Sequence, residues 1–178
     1  MDAQGQLAEL EDGGIDVAVI RHVGELSDLT VTVLHTVELG VACTPDDVIA
    51  DGIAVGCSDV EEGRAILVPG GLTSACRDRM LSWCRMLGFE PTGEYGASGP
   101  MMLLESLGAL LDGLLAALTP ASAVEPGRPL AHLTWRPARE SPLMLSTSAA
   151  VADTHESVTA RNFVAVLTDA PFARTTRA

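Results

Sequence analysis

Apolar and polar positions alternate strictly in LTVTVLHTVEL, residues 29–39, which predicts a β-strand. Val31, Val33, His35 and Val37 fall on one face of it, and Thr30, Thr32 and Thr36 on the other. The run IDVAVIRHVG just before it predicts a partner strand. In TPDDVIADG the signals suit a short helix: Thr44 to cap, Pro45 to open, Asp46 and Asp47 at the positive end, Gly52 to stop. Residues 53–71 admit two strands around an acidic turn, or a capping box of Ser58 and Glu61. A strand ending at Val68, the turn Pro69-Gly70-Gly71 and a helix from Ser74 to Leu87 follow. At helical spacing Cys76, Met80, Trp83, Cys84 and Leu87 make one apolar stripe, as expected of a helix lying on a sheet.

A second helix is predicted from Pro100 to Leu118. Leu103, Leu104, Leu107, Leu110, Leu111, Leu114, Leu115 and Leu118 crowd one side, while Glu105, Ser106, Ala109, Asp112, Gly113 and Ala116 take the other. That two-sidedness argues against a membrane span. A turn-rich connector leads to three expected strands, 130–136, 143–152 and 158–168. In the first, Ala131, Leu133 and Trp135 face one way, and His132, Thr134 and Arg136 the other. Residues 1–14 read as a flexible acidic arm or a short frayed helix, and 171–178 as a flexible tail. Between them, residues 15–170 are expected to form a single α+β domain: a mainly antiparallel sheet of five to seven strands, with two main helices packed on one face.

Composition narrows the function classes. The 178-residue chain carries a formal charge of −13, which disfavours both nucleic acid and an anionic membrane surface as partners. All eleven basic residues are arginine, so Schiff-base or P-loop chemistry through a lysine is excluded on this chain. The four cysteines, Cys43, Cys57, Cys76 and Cys84, form no CxxC pair and fit no zinc spacing; they read as buried free thiols. The four histidines are scattered, and no metal or cofactor is implied. With no secretory pattern at the N-terminus, a cytoplasmic location is expected.

Three groups of residues carry candidate chemistry. The glycine turn before the 74–87 helix offers free backbone N–H groups, and Arg77 and Arg79 follow within the first turns. A bound anion would turn two arginines that oppose the helix dipole into favourable partners. His35 is a candidate for proton transfer, or else a core imidazole held by backbone. His132, Thr134 and Arg136, continued by Ser146, Ser148, Thr159 and Arg161, suggest a platform of hydroxyls and guanidiniums on a sheet face. Glu105 and Asp112 share a side of the second helix and could flank a ligand there. Two functions follow. One is binding of a small anionic molecule, extending to a cofactor-free biosynthetic enzyme, with Arg77, Arg79, His132 and Arg136 as ligand-binding residues and His35 as the catalytic one. The other is a non-catalytic regulatory or assembly module that forms a homo-oligomer through the 100–118 helix. In hydrophobic pattern, the segment PDDVIADGIAVGCSDVEEGRAILVPGG with CRDRMLSWCRMLGFEP resembles one repeat of the guanidine-modifying pentein enzymes. Those enzymes pair a late cysteine with a histidine; here no cysteine follows Cys84, so no residue role carries over.

Overall fold

A computed structural model describes residues 1–23, 29–95, 115–128, 130–152 and 157–169. Within these the chain is a mixed α+β fold of seven strands and three α-helices. In chain order they are α1 (Ala3–Glu11), β1 (Ala18–His22), β2 (Thr30–Cys43), β3 (Arg64–Pro69), α2 (Ser74–Met86), β4 (Phe89–Tyr95), β5 (Leu115–Pro120), β6 (Thr134–Arg136), β7 (Leu143–Val151) and α3 (Val158–Asp169). The residues group into two compact units: Met1–Val37, Gly71–Cys76 and Met144–Ala178 in the first, Glu38–Gly70 and Arg77–Leu143 in the second.

In the first unit the strand order is β1-β7-β2, and β1 runs antiparallel to β7 with Ala18 opposite Ala150 and Ile20 opposite Ser148. The N-terminal segment forms α1, whose Asp2 carboxylate accepts the Gly5 N–H at 2.8 Å. Ala3 and Leu10 of α1 are buried with Ala18, Ile20, Ala150 and Ala152, so this helix is part of a core. Residues 158–168, expected as a strand, are the helix α3 instead. The Ser157 hydroxyl caps it by accepting the Ala160 N–H at 3.0 Å. Its less exposed positions, Ala160, Val164 and Leu167, keep helical spacing, which the β-branched residues around them disguised.

In the second unit the order is β2-β5-β3-β4, with β6 paired to β2. The sheet is mixed rather than mainly antiparallel, because β3 runs parallel to both β4 and β5. β5 pairs antiparallel with β2 on its other side, and its Ala116, Ala117 and Leu118 are fully buried. This corrects the end of the expected 100–118 helix: residues 115–118 are strand. A strand covered on both faces needs no alternation, so a short apolar run there reads the same as the tail of an apolar helix. The rest of that helix, with Glu105, Asp112 and Gly113, lies outside the described residues.

The strand β3, the glycine turn and α2 follow the sequence expectation closely, and all five stripe residues of α2 are buried. The Trp83 indole N–H donates to the Ser141 carbonyl at 2.7 Å, holding a residue whose φ is 53°. The short helix expected at 44–52 is only one 3-10 turn, Val48–Asp51. Its cap is Asp47, which accepts the Ile49 N–H at 2.9 Å, rather than Thr44; Gly52 ends it as expected. Before β3 there is no further strand but a second 3-10 turn, Cys57–Asp59, closed by Asp59 accepting the Gly56 N–H at 2.9 Å. Gly40 is required on β2, since a Cβ there would lie 2.5 Å from the Trp135 ring and 2.4 Å from the Arg136 carbonyl oxygen.

Candidate functional site

At the start of α2 the chain leaves β3 at Pro69 and turns through Gly71, which holds φ at +74°. The buried Thr73 hydroxyl accepts the Cys76 N–H at 3.4 Å and so caps the helix. Ser74 and Ala75 follow with exposed side chains, and their amides have no intrahelical acceptor. Arg77 and Arg79 are both exposed on the next turn. Arg77 forms an ion pair with Glu94 of β4, which raises its guanidinium pKa above the ordinary arginine value. It also lines a groove of about 430 Å³ in the second unit, floored by Val68, Leu81, Pro91 and Gly93.

The first unit buries hydroxyl-paired side chains on the β1–β7–β2 strands. His22 Nε2 and Ser148 Oγ share a hydrogen bond at 2.8 Å, both nearly sealed from solvent. Thr36 and Ser146 share another at 3.1 Å. The second unit buries charge. Asp47 takes two hydrogen bonds from Arg64, one of 2.8 Å to Nη1 and one to Nη2, and the carboxylate side chain is only 3% exposed. Arg136, on β6, donates to the carbonyls of Trp135 (3.0 Å) and Ala50, while its Nε is buried without an acceptor among the described residues. Between these groups, burial and then the Asp47 charge push the Cys43 thiol up to about 11, against the lowering pull of Arg64 and Arg136. Burial pushes Cys84 up to about 12. Cys57, expected buried, is the exposed thiol, since its 3-10 turn stands outside the sheet.

The sequence candidates are therefore distributed rather than gathered. His35 is half-buried on β2, and its Nδ1 is shielded from solvent with no hydrogen-bond partner. The face it shares is packed unevenly: Val31 lies against a core cluster, Val33 is 54% exposed, and Leu34 on the opposite face is buried. His132 is exposed in the turn before β6, which begins only at Thr134. Thr134 and Arg136 do share a β6 face. The platform does not extend as expected, because Ser146 and Ser148 bond to Thr36 and His22 and because Thr159 and Arg161 lie on α3. Sequence reasoning missed the Thr73 cap, although a threonine just ahead of an apolar stripe is a known helix-start signal. The Asp47–Arg64 pair spans 17 residues without periodicity, so no local pattern announces it.

Among the described residues, no group of three or more His, Cys, Asp or Glu side chains is placed to hold a metal ion. None of the described helices is long and apolar enough to cross a membrane.

Comparison with known proteins now places the fold. The family model of the LysR substrate binding domain matches residues 1–171, and this replaces the likeness to a pentein repeat, which falls inside the same span. No curated protein matches the chain. Among solved structures, the reduced OxyR regulatory domain from Pseudomonas aeruginosa is 16% identical with a TM-score of 0.68, covering 100% of this chain and 81% of that one. The C-terminal domain of a probable LysR family transcriptional regulator from Rhodococcus sp. RHA1 is 20% identical with a TM-score of 0.68, covering 94% of this chain and 81% of that one. A sulfate-bound mutant of the OxyR2 regulatory domain from Vibrio vulnificus is 13% identical with a TM-score of 0.67, covering 94% and 77%. Identities this low speak for the shared fold. The family match runs nearly the full length of a mixed sheet whose glycine turn feeds a capped helix, and the chain belongs to the LysR substrate-binding domain family, whose members are small-molecule-binding regulatory domains.

Proposed function

We propose that this domain senses a small organic anion, such as a carboxylate, at the start of α2, and that it serves a transcriptional regulator rather than catalysing a reaction. The carrying observation is the arrangement of Thr73, Ser74 and Ala75. The threonine hydroxyl satisfies the Cys76 amide from within, while the exposed first turn keeps N–H groups and the positive end of a 13-residue helix for an anion. Arg77 and Arg79 follow on the next turn; Arg77 has Glu94 and reaches an anion only by giving up that pair. The sulfate-bound relative supports an anion as the ligand class, and the Rhodococcus relative supports a role in transcription. The acidic chain itself is poorly suited to DNA, so contacts to DNA fall to another segment of such a regulator. Homo-oligomerisation fits this reading, and residues 100–114 of the surface expected for it lie outside the described residues.

Native mass spectrometry of the freshly purified protein reads retained ligand and oligomeric state together. Carboxylates of the retained mass are then titrated calorimetrically. Ser74→Pro removes one amide and one hydroxyl at a position where proline suits the helix, and is expected to weaken binding by about tenfold or more. Arg79→Ala is expected to weaken it by about two- to fivefold. Unchanged affinity in both variants overturns the site.

A further inference from the structure

The groove between α2 and β4 has a layout that the start of α2 does not use. Because α2 links the end of β3 to the start of β4, it runs back along both strands. Arg77, Leu81 and Arg85 form one row on it, about 12 Å long. Arg77 stands opposite Glu94 near the end of β4, and Arg85 opposite Glu90 near its beginning. Val68, Leu81, Pro91 and Gly93 make the apolar floor between those ends, and about 430 Å³ lies open above it. The two ends differ. Arg77 Nε donates to Glu94, which closes that pair, whereas Arg85 and Glu90 approach only to 3.8 Å, too far for a hydrogen bond. At this open end the side chains are 55% and 54% exposed, so a ligand from solvent can reach both. Two guanidiniums and two carboxylates cancel, while Asp78 beside Arg77 and Glu62 in the adjoining cleft past Arg85 add acid. A lone anion would meet Glu90 here, and a lone cation would meet Arg85.

We infer that this groove binds a free α-amino acid with a branched aliphatic side chain. Its carboxylate accepts from the Arg85 guanidinium, its ammonium donates to the Glu90 carboxylate, and its side chain lies on Leu81, Pro91 and Gly93. One carbon of such a ligand carries both charged groups. It therefore bridges a guanidinium and a carboxylate that face each other just beyond hydrogen-bond reach. Its charges sum to zero, as do those of Arg77, Arg85, Glu90 and Glu94. The closed Arg77–Glu94 pair bounds the far end, which leaves an apolar side chain the better fit there. The groove lies in the second unit, and Arg85 and Glu90 take no part in the α2 site, so the two sites stand or fall separately.

The test is isothermal titration calorimetry of the full chain with L-leucine and with its two halves. These are 4-methylpentanoate, which lacks the ammonium, and 3-methylbutylamine, which lacks the carboxylate. Saturable binding of one leucine per chain is expected, with each half at least about tenfold weaker. Arg85→Gln and Glu90→Gln should each weaken leucine by about three- to tenfold, since both charges are partly solvated. Arg79→Ala should leave it unchanged. Should Arg85→Gln fail to fold by circular dichroism, Arg85→Lys takes its place, keeping the charge but losing the two-pronged donor. A flat leucine titration of the wild type overturns the inference. So does 4-methylpentanoate or 3-methylbutylamine binding as tightly as leucine, which would reduce the site to one charge. Leucine affinity unchanged in both the Arg85 and the Glu90 variants overturns it as well, by placing the ligand elsewhere.

Discussion

The two compact units solve the same problem, polar side chains inside a folded body, with opposite chemistry. The first pairs side chains through hydroxyls: His22 with Ser148 and Thr36 with Ser146. The second pairs ions, Asp47 with Arg64, and keeps Arg136 among carbonyls. A pair closed by a hydroxyl loses one modest hydrogen bond when that hydroxyl is removed. An ionic pair leaves a charge that the low-dielectric surroundings penalise severely. The contrast teaches that the second unit is the more easily disabled of the two by one polar substitution.

Three substitutions or titrations break or sharpen that contrast. Asp47→Ala removes the buried carboxylate from Arg64 and the cap from the Val48–Asp51 turn. Urea unfolding should show a loss of about 3–5 kcal/mol. A loss no larger than that of a hydroxyl pair would erase the distinction between the units. Ser148→Ala removes the hydrogen bond to the buried His22 ring and should cost about 1–2 kcal/mol. The smallest effect is alkaline. Cys43 and Cys84 are held protonated by burial, so the folded state keeps protons that the unfolded chain releases near its ordinary thiol pKa. Their contribution is therefore fully present below about pH 9 and is lost as pH rises toward the folded values, about 11 for Cys43 and about 12 for Cys84. Urea midpoints taken from pH 8 to 10.5 should fall, and fall less steeply in Cys43→Ala. A flat wild-type profile would show that neither thiol is held protonated.

Legibility in the sequence tracks how local the physics is. β1, the alternating β2 and the β3–turn–α2 unit were readable because periodicity, glycine and a buried stripe all lie within a few residues of one another. β7 was readable for the same reason, at Leu143–Val151 against an expected 143–152. α3 was misread because Val158, Thr159, Val164 and Val166 carry strand propensity, while the deciding contacts of Ala160 come from elsewhere in the fold. β5 was misread because its pairing partners β2 and β3, distant in sequence, flank both its edges and make it an inner strand with buried side chains. His35 was placed on a core face by alternation, and that face is packed at Val31 but exposed at Val33 beside it.

For the candidate site, the sequence alone determined the glycine turn, the helix behind it and the two arginines on that helix. Those features depend on backbone freedom at Gly71 and on a stripe that any sheet would cover. It also determined the formal charge of −13, the same sign as a phosphate backbone. Tertiary structure decided the partners. Arg77 meets Glu94 and Arg64 meets Asp47 across separate elements, and Arg136 ends on carbonyls rather than on a hydroxyl platform. A side chain's charge is written in the sequence, but which opposite charge reaches it depends on strand pairing, and pairing is a long-range choice made by burial of the whole sheet.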